Sequence, residues 1–169
     1  NEVVNTVFKQ EIKDIVTFDL NVDTSLVPNQ AVSKASLNTN LLDLNINQAV
    51  FDFNEASLNS DYLVKIASLT NLVDFTKTKL RGAMDISGNI QSKENSLIVD
   101  GKSSILGGAL NFNLKNDDLS ATLSDIGIKE LTYMLYQPEI FDSKGTFKVD
   151  YNLKVKKGTK IRKKTINVF

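Results

Sequence analysis

Residues 126–155 show the pattern around which the rest of the chain is organised. In their first part, apolar residues recur at helical spacing, namely Ile128, Leu131, Met134 and Leu135. After Pro138 they occupy every second position instead, namely Phe147, Val149, Tyr151, Leu153 and Val155. A change of period from 3.6 to 2 predicts a short helix that leads into a half-buried strand.

The same helix-to-strand unit occurs in residues 67–90. Leu69, Leu72 and Val73 stand at helical spacing, and an alternating segment around Ile86 follows them. Gly88 falls on the inward parity of that segment, where glycine indicates a bulge, a bend or a close approach of another backbone. In residues 2–15, apolar residues at helical spacing favour an amphipathic helix, and the β-branched residues there favour an irregular strand as the alternative.

Alternation of apolar and polar residues predicts further strands, at 16–22, 35–46, 50–54, 62–66, 97–99, 110–114 and 119–123. Composition predicts turns at 28–29, 47–48, 92–96, 116–118 and 157–160. The parity of the apolar positions changes near Leu41 and Leu42, which indicates a β-bulge or a tight turn. The chain is therefore expected to be mainly β with a few short helices. We expect one β-rich domain, a curved antiparallel sheet of repeated strand–strand–helix–strand units with tentative bounds 1–63, 64–126 and 127–169.

Composition narrows the chemistry that the chain can perform. There is no histidine, cysteine or tryptophan among the 169 residues, so Ser-His-Asp and Cys-His catalytic sites are excluded. The carboxylates are scattered without calcium-loop spacing, and the adjacent Asp117 and Asp118 have the composition of a turn. We therefore expect neither an enzyme nor a bound cofactor or metal, although hydrolysis by two facing carboxylates remains an alternative.

Charge is balanced overall, with 20 basic and 20 acidic residues, but the basic residues gather at the end of the chain. Residues 144–169 contain nine basic residues and one acidic residue, Asp150. Few aromatic residues flank them, so nucleic acid is not an expected partner. A solvated strand face is the first interpretation of this segment, and contact with anionic lipid headgroups is the second.

One face of the predicted sheet is the strongest candidate for a binding surface. Its apolar side chains form either an ordinary closed core or the floor of an open groove. The same periodicity of apolar residues fits both interpretations. If the groove is open, we expect lipid acyl chains to bind along it. The candidate groove residues are Phe18, Leu20, Phe51, Phe53, Met84, Ile86, Leu110, Phe112, Leu123, Phe147, Val149, Tyr151 and Leu153.

A little over half of the chain, residues 63–158, resembles a known family. The segments that carry the resemblance are LRGAMDISGNI, SSILGGAL, DLSATLSDIGIKELTYML and FDSKGTFKVDYNL. They are similar to the AsmA/TamB-type periplasmic proteins of Gram-negative bacteria, which are long, anchored in the inner membrane, and thought to form β-sheet grooves that carry lipids or support outer-membrane assembly. The resemblance implies a non-enzymatic module of the cell envelope, here a fragment of a longer repeat protein whose anchor lies elsewhere. The alternative is a structural or adhesive β-repeat with a closed core and protein partners.

Overall fold

A single antiparallel sheet dominates the computed structural model, which describes residues 16–138, 143–156 and 159–168, with side chains for 16–138 and 143–146. Each strand pairs with its neighbour in sequence, so the order across the sheet is the order along the chain. The ten strands are β1 Phe18–Val27, β2 Gln30–Thr39, β3 Asp43–Asp52, β4 Ser57–Ile66, β5 Met84–Lys93, β6 Ser96–Ile105, β7 Gly108–Lys115, β8 Asp118–Gly127, β9 Lys144–Lys156 and β10 Thr159–Val168.

Two short helical segments interrupt this succession of strands. The first follows β4 and consists of a 3₁₀ turn, Leu69–Leu72, continued by the α-helix α1, Val73–Thr76. The second, α2, is Ile128–Met134 and follows β8. Four strands therefore precede the first helical segment, and four more lie between it and the second. The predicted class, mainly β with a few short helices in an antiparallel sheet, is confirmed, and the bounds of the three tentative units remain a prediction.

The tight hairpins follow from the residues at their turns. Pro28 and Asn29 join β1 to β2, and Asn29 has a φ of 63°. Proline presets the φ of the first turn residue and asparagine tolerates the left-handed region at the second, so the predicted turn is confirmed. The predicted turns at 92–96 and 116–118 are also confirmed, since two-residue loops join β5 to β6 and β7 to β8.

The prediction of a turn at Asn47 and Gln48 is wrong. Both residues lie inside β3, where its register with β4 shifts between Asn45 and Gln48. An extra residue at this bulge brings Ile46 and Ala49 to the same face of the sheet, because the side-chain alternation is interrupted there. The parity change near Leu41 comes from a turn, since β2 ends at Thr39 and β3 begins at Asp43.

Two other predicted elements extend beyond the described residues. The helix or strand predicted at 2–15 lies entirely outside them. Residues 157 and 158 of the predicted last turn also lie outside, whereas Thr159 and Lys160 begin β10.

The four-residue loop between β3 and β4 is fixed by Asp52. Its carboxylate accepts hydrogen bonds from the backbone amides of Asn54 and Glu55, at 2.9 and 3.1 Å, and from the side-chain amide of Gln30 at 3.2 Å. These bonds stabilise the ionised form and hold the pKa of Asp52 below its usual value. The bond from the Glu55 amide has the largest effect, and the bond from Gln30 the next largest. Lys93 reaches across the loop to Glu55 at 2.9 Å, and exposed pairs of this kind contribute little to stability.

Burial is concentrated at one end of the sheet, which we call the helical end. It contains the ends of β4 and β8, the starts of β5 and β9, and both helical segments. Among the described residues, the buried apolar side chains are Ile66, Leu69 and Ile126. The Leu69 amide donates a hydrogen bond to the Gly82 carbonyl at 2.8 Å, and the Arg81 amide donates one to the Met134 carbonyl at 2.9 Å, so the segment just before β5 ties the two helical segments to each other.

Candidate functional site

The strand registers define one apolar face. Paired residues of antiparallel strands point to the same side of a sheet, and successive residues of a strand point to opposite sides. One row of paired positions crosses the first half of the sheet, through Leu20, Leu37, Leu44, Val64 and Ile86. A second row crosses the other half, through Ile90, Val99, Leu114 and Leu119. We call the side that carries both rows the apolar face.

The register also locates the residues predicted for a lipid groove. It brings eight of them to the apolar face, namely Phe18, Leu20, Phe51, Met84, Ile86, Leu110, Phe112 and Leu123. Phe53 follows β3 directly, and its ring packs edge-to-face against Phe51 at 5.5 Å between centroids. The remaining four predicted residues lie on β9, and their side chains lie outside the described residues. The strand register pairs Phe147 with Leu123, Val149 with Ala121, Tyr151 with Leu119 and Leu153 with Arg162.

The apolar face is larger than the predicted list. It also includes Val22, Leu26, Leu37, Leu44, Ile46, Leu58, Tyr62, Val64, Ile90, Val99, Leu114 and Leu119. Their alternation is visible in the sequence, and extending each alternating run to its turn finds most of them. The position of Ile46 relative to Ala49 depends on the bulge in β3, which the sequence alone does not reveal.

Much of this face is open to solvent. Along β1, Phe18 is 73% exposed, Leu20 57% and Leu26 75%, and on interior strands Phe51 is 37% and Leu97 39% exposed. The structure has no second sheet within its described part that packs against these residues. Contiguous exposed apolar surface of this kind marks sites where a protein binds a partner, a membrane or an apolar ligand.

The helical segments close the face at one end only. Ile66 and Ile126 belong to the apolar face at the helical end, and they are 5% and 1% exposed. The helical end also contains a cavity of 420 Å³, which is lined in part by Leu69, Ile105 and Met134. The apolar face is thus covered where the helices lie, and exposed toward the opposite hairpins and along β1.

Aromatic rings fill the middle of the face over two glycines. Tyr62, Gly88, Gly101 and Phe112 occupy paired positions on four adjacent strands. The Tyr62 hydroxyl crosses above Gly88 and donates a hydrogen bond to the Asp100 carbonyl oxygen at 2.9 Å. Burial raises the pKa of Tyr62, which keeps this hydroxyl a donor at neutral pH. Gly88 at the inward position thus marks a close approach, first by the backbone carbonyl of Asp100 on β6 and then by the Tyr62 hydroxyl.

Replacing Gly101 by alanine is expected to destabilise the sheet by about 1–3 kcal/mol, the usual range for overpacking. A Cβ atom there would lie 2.6 Å from the Tyr62 hydroxyl and would overlap the Phe112 ring, so one ring must leave its position. Urea unfolding measures the change. The matched control is Ser104→Ala on the opposite face of β6, which we expect to be nearly neutral. Equal losses in both variants would contradict the packing of the rings over Gly101.

A cluster of cations and aromatic rings lies beside the cavity at the helical end. The Arg81 guanidinium lies 3.8 Å from the Tyr136 ring centroid and 5.0 Å from that of Tyr133, and Lys79 is 5.4 Å from Tyr136. A hydrogen bond with Thr70 is the largest cause that lowers the pKa of Tyr136, and the two cations lower it further. Cation–π attraction holds the segment before β5 against the end of α2.

The opposite face of the sheet, which we call the polar face, is mainly polar, although Val32, Val50, Leu63 and Ile98 also lie on it. Asn89 donates hydrogen bonds to the side chains of Asn59 and Asp61 at 2.8 and 3.0 Å. Two depressions of 630 and 670 Å³ adjoin one another there, and Ser87, Lys102 and Asn111 line both. Polar side chains of this type are mostly solvated in proteins, so the apolar face is the better candidate surface for acyl chains.

The described residues include no group of three or more acidic, histidine or cysteine side chains that could hold a metal. Among the helices described, none has the length and apolar character needed to cross a membrane. Comparison with family models, with curated proteins and with solved structures finds no match. The site is therefore defined by its own geometry, an apolar sheet face with partial helical cover.

Proposed function

We propose that this protein is a non-enzymatic module that binds lipid acyl chains along its apolar face. The observation that supports the proposal is the exposure of this face over β1 and toward the hairpins, together with its continuity across the strands. The resemblance to AsmA/TamB-type proteins agrees with it, and on that basis we place the module in the periplasm or cell envelope, in lipid transport or outer-membrane biogenesis.

The physical mechanism requires no catalytic residue. An alkyl chain that leaves water gains about 0.8 kcal/mol for each buried CH₂ group, so a short contact with the face is enough for binding. Rows of apolar side chains repeat from strand to strand, and neighbouring positions therefore offer similar binding energies. A chain can move between such positions without crossing a large barrier, which suits transport better than tight storage.

Lipid that co-purifies with the protein tests the proposal. We expect protein purified without detergent to release phospholipid in near-stoichiometric amount on extraction with organic solvent, as measured by mass spectrometry. A dye that fluoresces in apolar surroundings is expected to bind, and added phospholipid should displace it. Protein free of lipid that also fails to bind the dye would contradict the proposal and favour a structural or adhesive module with protein partners.

A further inference from the structure

The sheet forks at the helical end, between β5 and β6. These two strands pair along most of their length, and the pair nearest the helical end is Ser87 with Lys102. Beyond it, residues 84–86 of β5 pair with β4, and residues 103–105 of β6 pair with β7, but the two segments do not pair with each other. We call the gap between these two segments the notch. Backbone groups on its edges have no partner strand, which is unusual inside a sheet.

The notch connects two of the spaces described above. The depression of 630 Å³ is lined by polar-face residues and also by Met84, Ser103 and Leu110, which belong to the apolar face. The cavity of 420 Å³ is lined by Ala83, just before β5, and by Ile105 at the end of β6. Ala83 lines both spaces. An elongated molecule that lies in the notch therefore reaches from the polar face to the cavity at the helical end.

One side chain in the notch indicates that a ligand belongs there. Ser103 lines the depression and is 7% exposed, and its hydroxyl has no hydrogen-bond partner in the described part of the protein. The great majority of buried polar groups in folded proteins have such a partner. A ligand oxygen in the notch supplies the partner that this hydroxyl lacks.

The charges at the notch define the polar part of that ligand. Lys102 on β6 and Asp85 on β5 line the depression from opposite sides of the notch, and both side chains lie on the polar face. The Lys102 ammonium and the Ser103 hydroxyl are donors for a phosphate, whereas the Asp85 carboxylate accepts hydrogen bonds from an ammonium. A lone anion is repelled by Asp85 and a lone cation by Lys102, so a group that carries both charges fits best.

The kind of ammonium group follows from the lining of the notch. No aromatic residue is among the described residues that line the depression. Quaternary ammonium groups such as choline have no N–H to donate and are recognised by aromatic cages. A primary ammonium donates hydrogen bonds directly to a carboxylate such as that of Asp85. The lining therefore favours a primary ammonium.

We propose that the notch binds the headgroup of a phospholipid that carries a primary ammonium, as phosphoethanolamine does. The phosphate lies at Lys102 and Ser103, and the ammonium lies at Asp85. The acyl chains extend from the notch along the apolar face and into the cavity at the helical end. This inference rests on the proposed function and adds a headgroup site to it.

Competition between two lipids with identical acyl chains tests the headgroup site. The protein is incubated with vesicles that contain equal amounts of phosphatidylethanolamine and phosphatidylcholine, separated from them and extracted with organic solvent. We expect the ratio of phosphatidylethanolamine to phosphatidylcholine in the extract, measured by mass spectrometry, to exceed that in the vesicles about fivefold, because one charge-assisted hydrogen bond distinguishes the two headgroups.

The variant Asp85→Asn removes the charge that selects the ammonium. We expect it to bring the ratio of the two lipids to within about twofold of that in the vesicles, while the total amount of bound lipid changes little. The matched control is Asp117→Asn, an exposed position in the turn between β7 and β8, which should keep the full enrichment. All variants are checked for folding by circular dichroism.

The variant Ser103→Ala separates a ligand-binding hydroxyl from a structural one. Because the hydroxyl has no partner within the described protein, its removal is expected to leave the urea midpoint unchanged or to raise it. The amount of bound phosphatidylethanolamine should nevertheless fall about threefold, since the phosphate loses a donor. A lower midpoint with unchanged lipid binding would show that the hydroxyl serves the fold and would count against the headgroup site.

The outcomes distinguish this inference from the proposed function. Equal ratios of the two lipids in the extract and in the vesicles would overturn the headgroup site and leave acyl-chain binding intact. Enrichment that persists in Asp85→Asn would also overturn it, because the carboxylate would then have no part in the selection. An extract that contains neither lipid would contradict acyl-chain binding itself, and the headgroup site with it.

Discussion

Introducing aspartate at two exposed positions of the apolar face is expected to reduce the bound phospholipid at least tenfold. The variant is Leu20→Asp/Phe51→Asp, whose side chains are 57% and 37% exposed in the native protein. An ionised carboxylate next to an acyl chain must either lose its water or keep the chain away, and both weaken binding. A tenfold loss corresponds to about 1.4 kcal/mol, which is less than the gain from burying two CH₂ groups.

The matched control adds the same charge to the other face. Asn21→Asp/Asn113→Asp changes two exposed residues of the polar face, and we expect it to keep the lipid content of the unaltered protein. All three proteins are compared by solvent extraction and mass spectrometry, after circular dichroism has shown that they are folded. An equal loss of lipid in both variants would show that the added negative charge causes the loss wherever it is placed, and would contradict binding on the apolar face.

Alternation of side chains made most of the sheet predictable. A strand with one solvated face repeats every two residues, and the runs around Leu20, Ile86 and Phe112 show that period clearly. The hairpins were predictable where residues such as Pro28 and Asn29 restrict the backbone of the turn. Both helical segments were predicted within a few residues, since their apolar positions switch to a period of 3.6.

The parts that were missed depend on contacts between strands. Asn47 and Gln48 have the composition of a turn, but the residues on either side of them pair with both β2 and β4, and this holds them inside β3 as a bulge. Local composition favours the turn there, and the hydrogen bonds of two neighbouring strands outweigh that preference. The inward position of Gly88 was visible in the sequence, whereas the groups that need the space, the Asp100 carbonyl and the Tyr62 hydroxyl, become known only from the structure.

The exposure of the apolar face likewise could not be predicted from the sequence. Periodicity tells which side of a strand is apolar, but not whether another layer covers that side. Leu20 and Ile126 both belong to the apolar face, yet one is 57% exposed and the other 1%. The difference arises because Ile126 lies at the helical end, directly before α2, while Leu20 lies on an edge strand.

That contrast predicts a large difference in stability between two similar truncations on the same face. Ile126→Ala is expected to lower the free energy of unfolding by about 2–5 kcal/mol, because it removes buried methyl groups and leaves a cavity. Leu26→Ala removes a comparable side chain that is 75% exposed, and we expect a change within about 0.5 kcal/mol. Urea unfolding followed by circular dichroism gives both values, provided that the slope against urea is unchanged.

A milder variant makes the test more specific. Ile126→Val keeps most of the side chain and should cost about 0.5–1.5 kcal/mol, between the unaltered protein and Ile126→Ala. A graded loss of this kind is expected if the helical end is the tightly packed core that holds the open part of the sheet in place. If Leu26→Ala proved as damaging as Ile126→Ala, the apolar face would be buried along β1 as well, and the surface proposed for acyl chains would not be free.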